Sequence, residues 1–487
     1  MAGKVGLLLD KGDGRPGTLP TKRPRRRQTD DAPTNDNDMF RFHRSPIVAV
    51  DHALEFTEVV TSHATGRYVG SVLWSLLRRN RDYRTLLVAQ IISFAGDWFA
   101  TVAFAGLVLD RTDSDLLATL VFVVSALPAF LVTPLSGPVA DRFDRRRIMV
   151  ICSMLQGVVA LGFLASQTRW IGFGFIAQGG IAGIGAFFGP ASQAAIVNLV
   201  EPDDLPTALA ASSSVWGAML AIGSGLGALV ASQFGRSTAF GLNAASFIVA
   251  GLLISTIRGK TSQRAVGSTR QPMRPIADSI EAIRYARSNR HIKVFLFSKA
   301  GFGLGTGVVG LLAVLAKRRF AAGDGGTGVL LFARGLGVLS GPWFVRIAAR
   351  RGLPGVVACC GIGAIVYGLG YLFVSWATAL AFAAVAVFLA HLGGGAQWSS
   401  VIYGIAKTAP DEVRGRIGAA DFALVTLSMS ISLGVAGWAS SNWGPVSTIR
   451  ALAIVQLCWG ALFLTLTREL RRESVATVEP LATVSGS

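Results

Sequence analysis

The sequence predicts an all-α membrane protein with 12 transmembrane helices in two pseudo-symmetric six-helix bundles. Composition, the spacing of apolar runs and an internal repeat carry that prediction. Of 487 residues 51% are apolar and only 15% charged, with a mean hydropathy of +0.51. This is too apolar for soluble domains. The 46 Lys and Arg exceed the 28 Asp and Glu to leave a net charge of +18. Those cations crowd into short stretches between long uncharged runs, as loops alternate with bilayer helices. Cys152, Cys359, Cys360 and Cys458 all fall within apolar runs, without zinc or disulfide-framework spacing, and read as buried thiols. A disordered chain, collagen, a soluble α/β enzyme and a disulfide scaffold are excluded.

Residues 1–84 read as a disordered basic cytoplasmic N-terminal tail. Lys22, Arg23, Arg25, Arg26 and Arg27 precede an acidic, Asn-rich stretch from Asp30 to Asp38, a composition that cannot bury a core. No signal-peptide pattern precedes the first long apolar run, so the tail is expected to stay on the mature chain. Its basic run suits anionic lipid at the inner membrane face better than nucleic acid. Within 52–79, residues Val59, Val60, Tyr68, Val72, Leu73, Trp74 and Leu77 suggest one apolar side of a short helix.

Twelve apolar runs long enough to span follow. They lie near 85–109, 116–140, 148–166, 170–199, 208–234, 237–257, 292–316, 327–345, 354–374, 376–405, 417–439 and 445–467. Helices satisfy their own backbone groups in lipid, and no ten-residue alternation of a membrane barrel occurs. The 57 glycines include small-xxx-small pairs such as Gly223 with Gly227 and Gly301 with Gly305, which permit close approach of membrane helices. The expected domains are an N-terminal bundle over 85–257, a cytoplasmic linker over 258–291, a C-terminal bundle over 292–467 and a cytoplasmic tail over 468–487. The linker places Ile276, Ile280, Ile283, Ala286 and Arg287 at helical spacing, predicting an amphipathic helix on the inner surface.

Loop cations set the orientation. Arg142, Arg145, Arg146 and Arg147 follow the second span, Arg258, Lys260, Arg264, Arg270 and Arg274 the sixth, and Arg346, Arg350 and Arg351 the eighth. All three loops share one side with the N-terminus, which makes both termini cytoplasmic. Lys317, Arg318 and Arg319 after span seven fall on the opposite side and count against this topology.

The halves repeat. Ser136-Gly137-Pro138 recurs as Ser340-Gly341-Pro342, and Arg142, Arg146 and Arg147 recur as Arg346, Arg350 and Arg351, all displaced by 204. Pro202-Asp203-Asp204-Leu205 answers Pro410-Asp411-Glu412-Val413 at 208. Six-span repeats running in the same direction are the arrangement in which two bundles rock about a midplane site.

The run Gly137-Pro138-Val139-Ala140-Asp141-Arg142-Phe143-Asp144-Arg145-Arg146-Arg147 resembles the signature loop of the major facilitator superfamily. With Ser93-Phe94-Ala95-Gly96-Asp97 in span one and Arg414-Gly415-Arg416 entering span eleven, the chain over about 85–467 is most similar to the enterobactin-exporter and macrolide-efflux branch. Asp144 stands where the general loop has a second glycine. Phe175 stands where many drug/proton antiporters carry an arginine, and Gly223-Ser224-Gly225 lacks the proline of the antiporter pattern.

The resemblance implies a secondary transporter rather than an enzyme, without a cofactor or metal and monomeric, in the inner or plasma membrane. The expected activity is proton-coupled export of a small amphiphilic compound (a drug, macrolide or siderophore) by alternating access. No G-x-x-x-x-G-K-[ST] run offers ATP as the driver. A lysophospholipid or other lipid flippase of the same fold remains an alternative, as does a non-transporting sensor or scaffold. A membrane enzyme is disfavoured by the shortage of clustered His, Glu and Asp in the spans.

Ionisable residues within spans are functional candidates because each costs about 2.5–3.5 kcal/mol at a helix centre on insertion scales. Asp97 shares a helical side with Gln90, Ser93 and Thr101, with Phe94 adjacent, a polar stripe suited to a water-filled cavity. Asp97 reads as a proton-coupling carboxylate or as one bracing the bundle. Lys299, with Phe295, Phe302 and Thr306 on its side, is expected either to pair with Asp97 or to snorkel. Arg334 attracts an anionic or hydroxyl-rich substrate or pairs inside the C-terminal half. His391 titrates near neutrality when unperturbed, although a lone histidine among alanines and glycines is more often a hydrogen-bonded core residue. The resemblance implies that the loop with Gly137, Asp141, Arg142, Arg145 and Arg146 docks on the start of span eleven, where Asp421 pairs with a loop arginine. Trp398 and Phe302 are candidate aromatic walls for the substrate.

Overall fold

The computed structural model describes residues 65–261 and 284–472, which belong to one compact unit. The basic run, the acidic stretch, the Ile276–Ile283 part of the linker helix and the tail beyond 472 lie outside the described residues. So do the side chains of Asp141, Asp411 and Glu412.

Among the described residues twelve helices are long and apolar enough to cross a membrane, and no strand occurs. The first bundle comprises α1 (Arg81–Thr112), α2 (Asp115–Arg142), α3 (Arg145–Thr168), α4 (Gly172–Leu199), α5 (Leu205–Phe234) and α6 (Arg236–Ser255). In the second, α7 spans Arg290–Arg318 and α8 spans Gly323–Ala349. They are followed by α9 (Gly352–Trp376), α10 (Leu380–Thr408), α11 (Asp411–Trp443) and α12 (Pro445–Leu466). About half of these outrun the apolar runs by a turn at one or both ends. Asn80 opens α1 by accepting the Tyr83 N–H, and Asn289 opens α7 by accepting those of His291 and Ile292, the side-chain N-cap arrangement. Two spans are interrupted: α7 passes through a 3-10 stretch at Thr306–Gly310, and α8 breaks at Gly341 before Pro342, where a proline cannot continue the ladder.

A preceding helix covers Thr65–Arg79, so part of the expected disordered tail is ordered. Leu76 is its buried anchor, whereas Trp74, expected on the apolar side, is exposed under the Arg78 guanidinium. Arg79 pairs with Asp204 at the start of α5. Of the four thiols, Cys152 and Cys360 are buried, but Cys458 is exposed. It stands on the outer surface of α12 rather than in the core.

Within the first bundle α1 packs on α5 and α6, and α4 on α2 and α3; in the second α9 packs on α10 and α12, and α11 on α7. The bundles meet along α5 with α8 and α2 with α11. Small residues make these seams. A Cβ on Gly227 would stand 2.6 Å from the Phe99 Cα, and one on Gly335 2.5 Å from the Ala221 Cα, so the first glycine closes α5 on α1 and the second closes α8 on α5. The single-residue joints Gly235, between α5 and α6, and Gly444, between α11 and α12, have φ of +85° and +81°. Only glycine adopts such a backbone without strain. They are displaced by 209, as are the caps Asn80 and Asn289, which extends the repeat to both ends of each bundle.

Candidate functional site

Two ends of the molecule are defined by the chain. The proximal end is where α1 begins at Arg81; the distal end carries the α1–α2, α5–α6, α7–α8 and α11–α12 turns. At the distal end the bundles are tied by charge. Arg236, opening α6, donates from Nε to Asp324 Oδ2 at 2.7 Å, from Nη2 to Asp324 Oδ1 at 2.9 Å and from Nη1 to Asp110 Oδ2 at 2.6 Å. Lys317 Nζ lies 2.6 Å from the other oxygen of Asp110. Arg318 reaches across to α2, donating from Nε to Asp115 Oδ1 at 2.9 Å, while Ser440 of α11 donates to Asp115 Oδ2 at 2.5 Å. Asp115 and Asp324 are buried, which makes these charge-assisted contacts stronger than exposed pairs. Among the described residues, every ion pair joining the two bundles lies at this end.

That network accounts for the cations that opposed the topology. Lys317 and Arg318 are held by Asp110, Asp113 and Asp115, and Arg319 donates to the Ala377 carbonyl at 2.7 Å, on the α9–α10 connection. Lys317 and Arg318 are interface residues, and Arg319 is held within its own bundle; none is a free loop charge.

Halfway along α1 the expected polar stripe divides. Gln90 donates to Ser192 of α4 at 2.8 Å and accepts from Ser212 of α5 at 2.9 Å. Thr101 lies 3.4 Å from the amide of Gln178, which also donates to Ser125 of α2 at 2.9 Å. Both Gln90 and Thr101 are buried, so they brace the first bundle instead of lining a cavity, contrary to the sequence-based expectation. Ser93 donates to the Gln90 carbonyl, and Ser93 and Phe94 are half-buried. Asp97, between these two hydrogen-bonded levels on the same face, is half-buried. Its carboxylate has no hydrogen bond or ion pair among the described residues.

Lys299 does not pair with Asp97 and does not snorkel. It is 1% exposed, with its ammonium 3.3 Å from Asp421 Oδ2 of α11 and 3.4 Å from the ring centroid of Trp398 on α10. Asp421 is thus taken by Lys299 and not by a loop arginine. The repeat explains the misassignment. At the displacement of 209, Lys299 corresponds to Gln90 and Asp421 to Ser212; the ion pair between α7 and α11 occupies the place of the amide–hydroxyl bond between α1 and α5. Asp97 corresponds instead to Thr306.

Farther into the second bundle, His391 of α10 is buried, with Nε2 2.9 Å from the Tyr371 hydroxyl of α9. Tyr367 packs edge-on between His391 and Phe302, whose ring is 5.8 Å from Tyr367 and 5.6 Å from Trp398. Arg334 of α8 lies within electrostatic reach of Tyr367, Tyr371 and His391. The expected acidic partner inside this half is missing: Arg334 makes no ion pair or hydrogen bond among the described residues, and its Nε is buried.

At the proximal end Asp144 caps α3 by accepting the Arg147 N–H at 2.9 Å. Arg145 donates to the carbonyls of Ala194 and Thr261, and Arg146 to that of Ser255. These bonds satisfy carbonyls at or beyond the ends of α4 and α6; the expected docking of the loop on α11 involves Asp141, whose side chain lies outside the described residues. Arg142 is exposed. No group of three or more His, Cys, Asp or Glu residues able to hold a metal occurs among the described residues.

Two packed six-helix bundles, charged contacts between them at one end and ionisable groups at mid-span are the features of a membrane carrier. Residues 86–433 match the Major Facilitator Superfamily, and the chain belongs to that family: it is a multi-pass membrane transporter, not an enzyme. It is 26% identical over 311 residues to the uncharacterized MFS-type transporter YkuC of Bacillus subtilis, covering 61% of this chain and 72% of that protein. It is 25% identical over 400 residues to the multidrug efflux pump Tap of Mycolicibacterium fortuitum, covering 79% of this chain and 96% of Tap. Among solved structures, a POT family transporter superposes with a TM-score of 0.68 at 10% identity, over 80% of this chain and 96% of that one. A bacterial homolog of the human lysosomal transporter Spinster, inward-facing and unoccupied, superposes with a TM-score of 0.64 at 15% identity, over 81% and 98%. These two likenesses establish the fold.

Proposed function

We propose that this transporter is a proton-driven exporter of small amphiphilic compounds in the inner or plasma membrane, acting as a monomer with both termini cytoplasmic. The observation that carries the coupling is the unpaired, half-buried Asp97 carboxylate at the middle of α1. A carboxylate without a fixed cation exchanges its proton with whichever side the cavity faces, whereas Asp421 is committed to Lys299. The efflux direction is supported by similarity to a protein named as a multidrug efflux pump.

The positive-inside rule places the arginine-rich proximal end in the cytoplasm, so the distal ion pairs form the outer gate in this conformation. The loop with Gly137, Asp141 and Arg142 closes the inner side against α11 in the alternate one. Protonation of Asp97 from outside and release inside then return the carrier after substrate leaves. Everted vesicles test this: an acid-inside gradient drives ethidium accumulation, abolished by an uncoupler. Accumulation that ignores the gradient removes the proton coupling.

The alternative of a lipid flippase draws on one feature, an apolar groove of about 320 Å³ between α8, α9 and α10 that ends at Arg351. Movement of a fluorescent lysolipid without any movement of ethidium in the same vesicles favours that reading.

A further inference from the structure

We infer that Arg334 and the ring cluster beside it form an anion subsite, and that among amphiphilic compounds the transporter favours those that carry a carboxylate or a comparable oxyanion on an aromatic or aliphatic body. This rests on the exporter reading and names its substrate class. The argument is one of charge balance. A guanidinium has five N–H donors in a fixed fork and stays protonated, and at mid-span it needs a partner. Two other cations held in the interior have an acidic one: Lys299 has Asp421, and Arg236 has Asp324 and Asp110.

Arg334 has none among the described residues, and its Nε is shielded from solvent. Asp324, ten residues earlier on α8, is fully engaged by Arg236. No ion pair joins Arg334 to Asp97 among the described residues. The residue is nevertheless not sealed, since part of its surface remains accessible.

Its surroundings suit a ligand with an apolar body. Tyr367, Tyr371 and His391 lie within electrostatic reach, and Phe302 and Trp398 continue the ring surface from Tyr367. The Tyr371–His391 bond spends that hydroxyl and the imidazole on each other, leaving Arg334 as the charged anion donor, with the Tyr367 hydroxyl, which has no hydrogen-bond partner among the described residues, beside it. A bidentate carboxylate meets the fork, and the rings cover the remainder of the molecule. A cationic amphiphile gains nothing at this point.

The test compares two dyes that differ only in the free acid, rhodamine B and its ethyl ester. Their binding is read by fluorescence anisotropy on the full chain in lipid nanodiscs, with empty nanodiscs subtracted. The wild type is expected to bind the acid at least tenfold more tightly than the ester, equal to about 1.4 kcal/mol. Arg334→Gln is expected to bring that ratio below about twofold by removing the charge, and Arg334→Lys to keep part of it. Thermal unfolding of both variants identifies loss of fold, in which case the Lys variant and the wild-type ratio carry the comparison. Equal binding of the two dyes, absence of binding, or an undiminished ratio in a folded Arg334→Gln overturns the subsite. Dye flux is measured separately: flux without acid preference leaves the exporter reading standing and removes this one, whereas acid preference without flux removes export and leaves the subsite.

Discussion

Replacing Asp324 by Asn should release the distal closure. Asp324 is buried on α8 and receives both Nε and Nη2 of Arg236 from the other bundle, at 2.7 and 2.9 Å. The amide keeps one acceptor and loses the charge and the second acceptor. A hydrogen bond to a charged group contributes about 1.5–3 kcal/mol. Removing one partner of a buried pair costs more where the other charge is stranded, but Arg236 keeps Asp110 at 2.6 Å, which holds the loss to that range. Because the contact exists only while the distal end is shut, the loss falls on one state and shifts the equilibrium toward the distal-open form about 10- to 150-fold. Spin labels at Arg111→Cys and Gly325→Cys, one on each bundle, read the shift by pulsed electron resonance in a background lacking the four native cysteines. Arg111 is exposed, and a Cβ at Gly325 meets nothing within 4 Å. The distance distribution of Asp324→Asn should gain a longer component. An unchanged distribution refutes the gate, since the pair would then hold both states equally or neither.

Three further outcomes follow from the packing. Lys299→Met strands the Asp421 carboxylate and should cost about 3–5 kcal/mol of stability, while Lys299→Met with Asp421→Leu should recover most of it; equal melting temperatures for single and double variants contradict the pairing. Gly227→Val drives a side chain into the Phe99 backbone, only 2.6 Å from the added Cβ, and should destabilise by about 1–3 kcal/mol, read as a lower melting temperature in detergent. Gln90→Leu leaves Ser192 and Ser212 without their shared partner and should cost about 1–3 kcal/mol while leaving dye preference unchanged; a changed preference would return Gln90 to the cavity.

How much was legible depended on whether the signal was local. Span number and bundle division follow from hydropathy, a property of consecutive residues. The close glycine contacts at Gly223 and Gly227 were equally readable. Pairing was not, because it joins residues far apart in the chain. Lys317 and Arg318 looked like violations of a topology rule until Asp110 and Asp115, at the ends of other helices, met them. Lys299 looked like a partner for Asp97 because the repeat was registered at 204 and 208. The caps and the joints Gly235 and Gly444 give 209, and at that displacement Lys299 and Asp421 fall on the positions of Gln90 and Ser212. Gln90 and Thr101 were misplaced for a further reason: a polar stripe on a helix faces either water or another polar helix, and periodicity does not distinguish the two.

Proton-driven flux through Asp97 is the most direct test of the whole account. In proteoliposomes with the dye equilibrated on both sides, an imposed acid-inside gradient should concentrate dye in the lumen of wild-type vesicles whose cytoplasmic face points outward. Asp97→Asn, fixed in the neutral form, should retain dye exchange at zero gradient yet show no accumulation. Accumulation by Asp97→Asn at the wild-type level would contradict the account, because the proton would then be carried elsewhere.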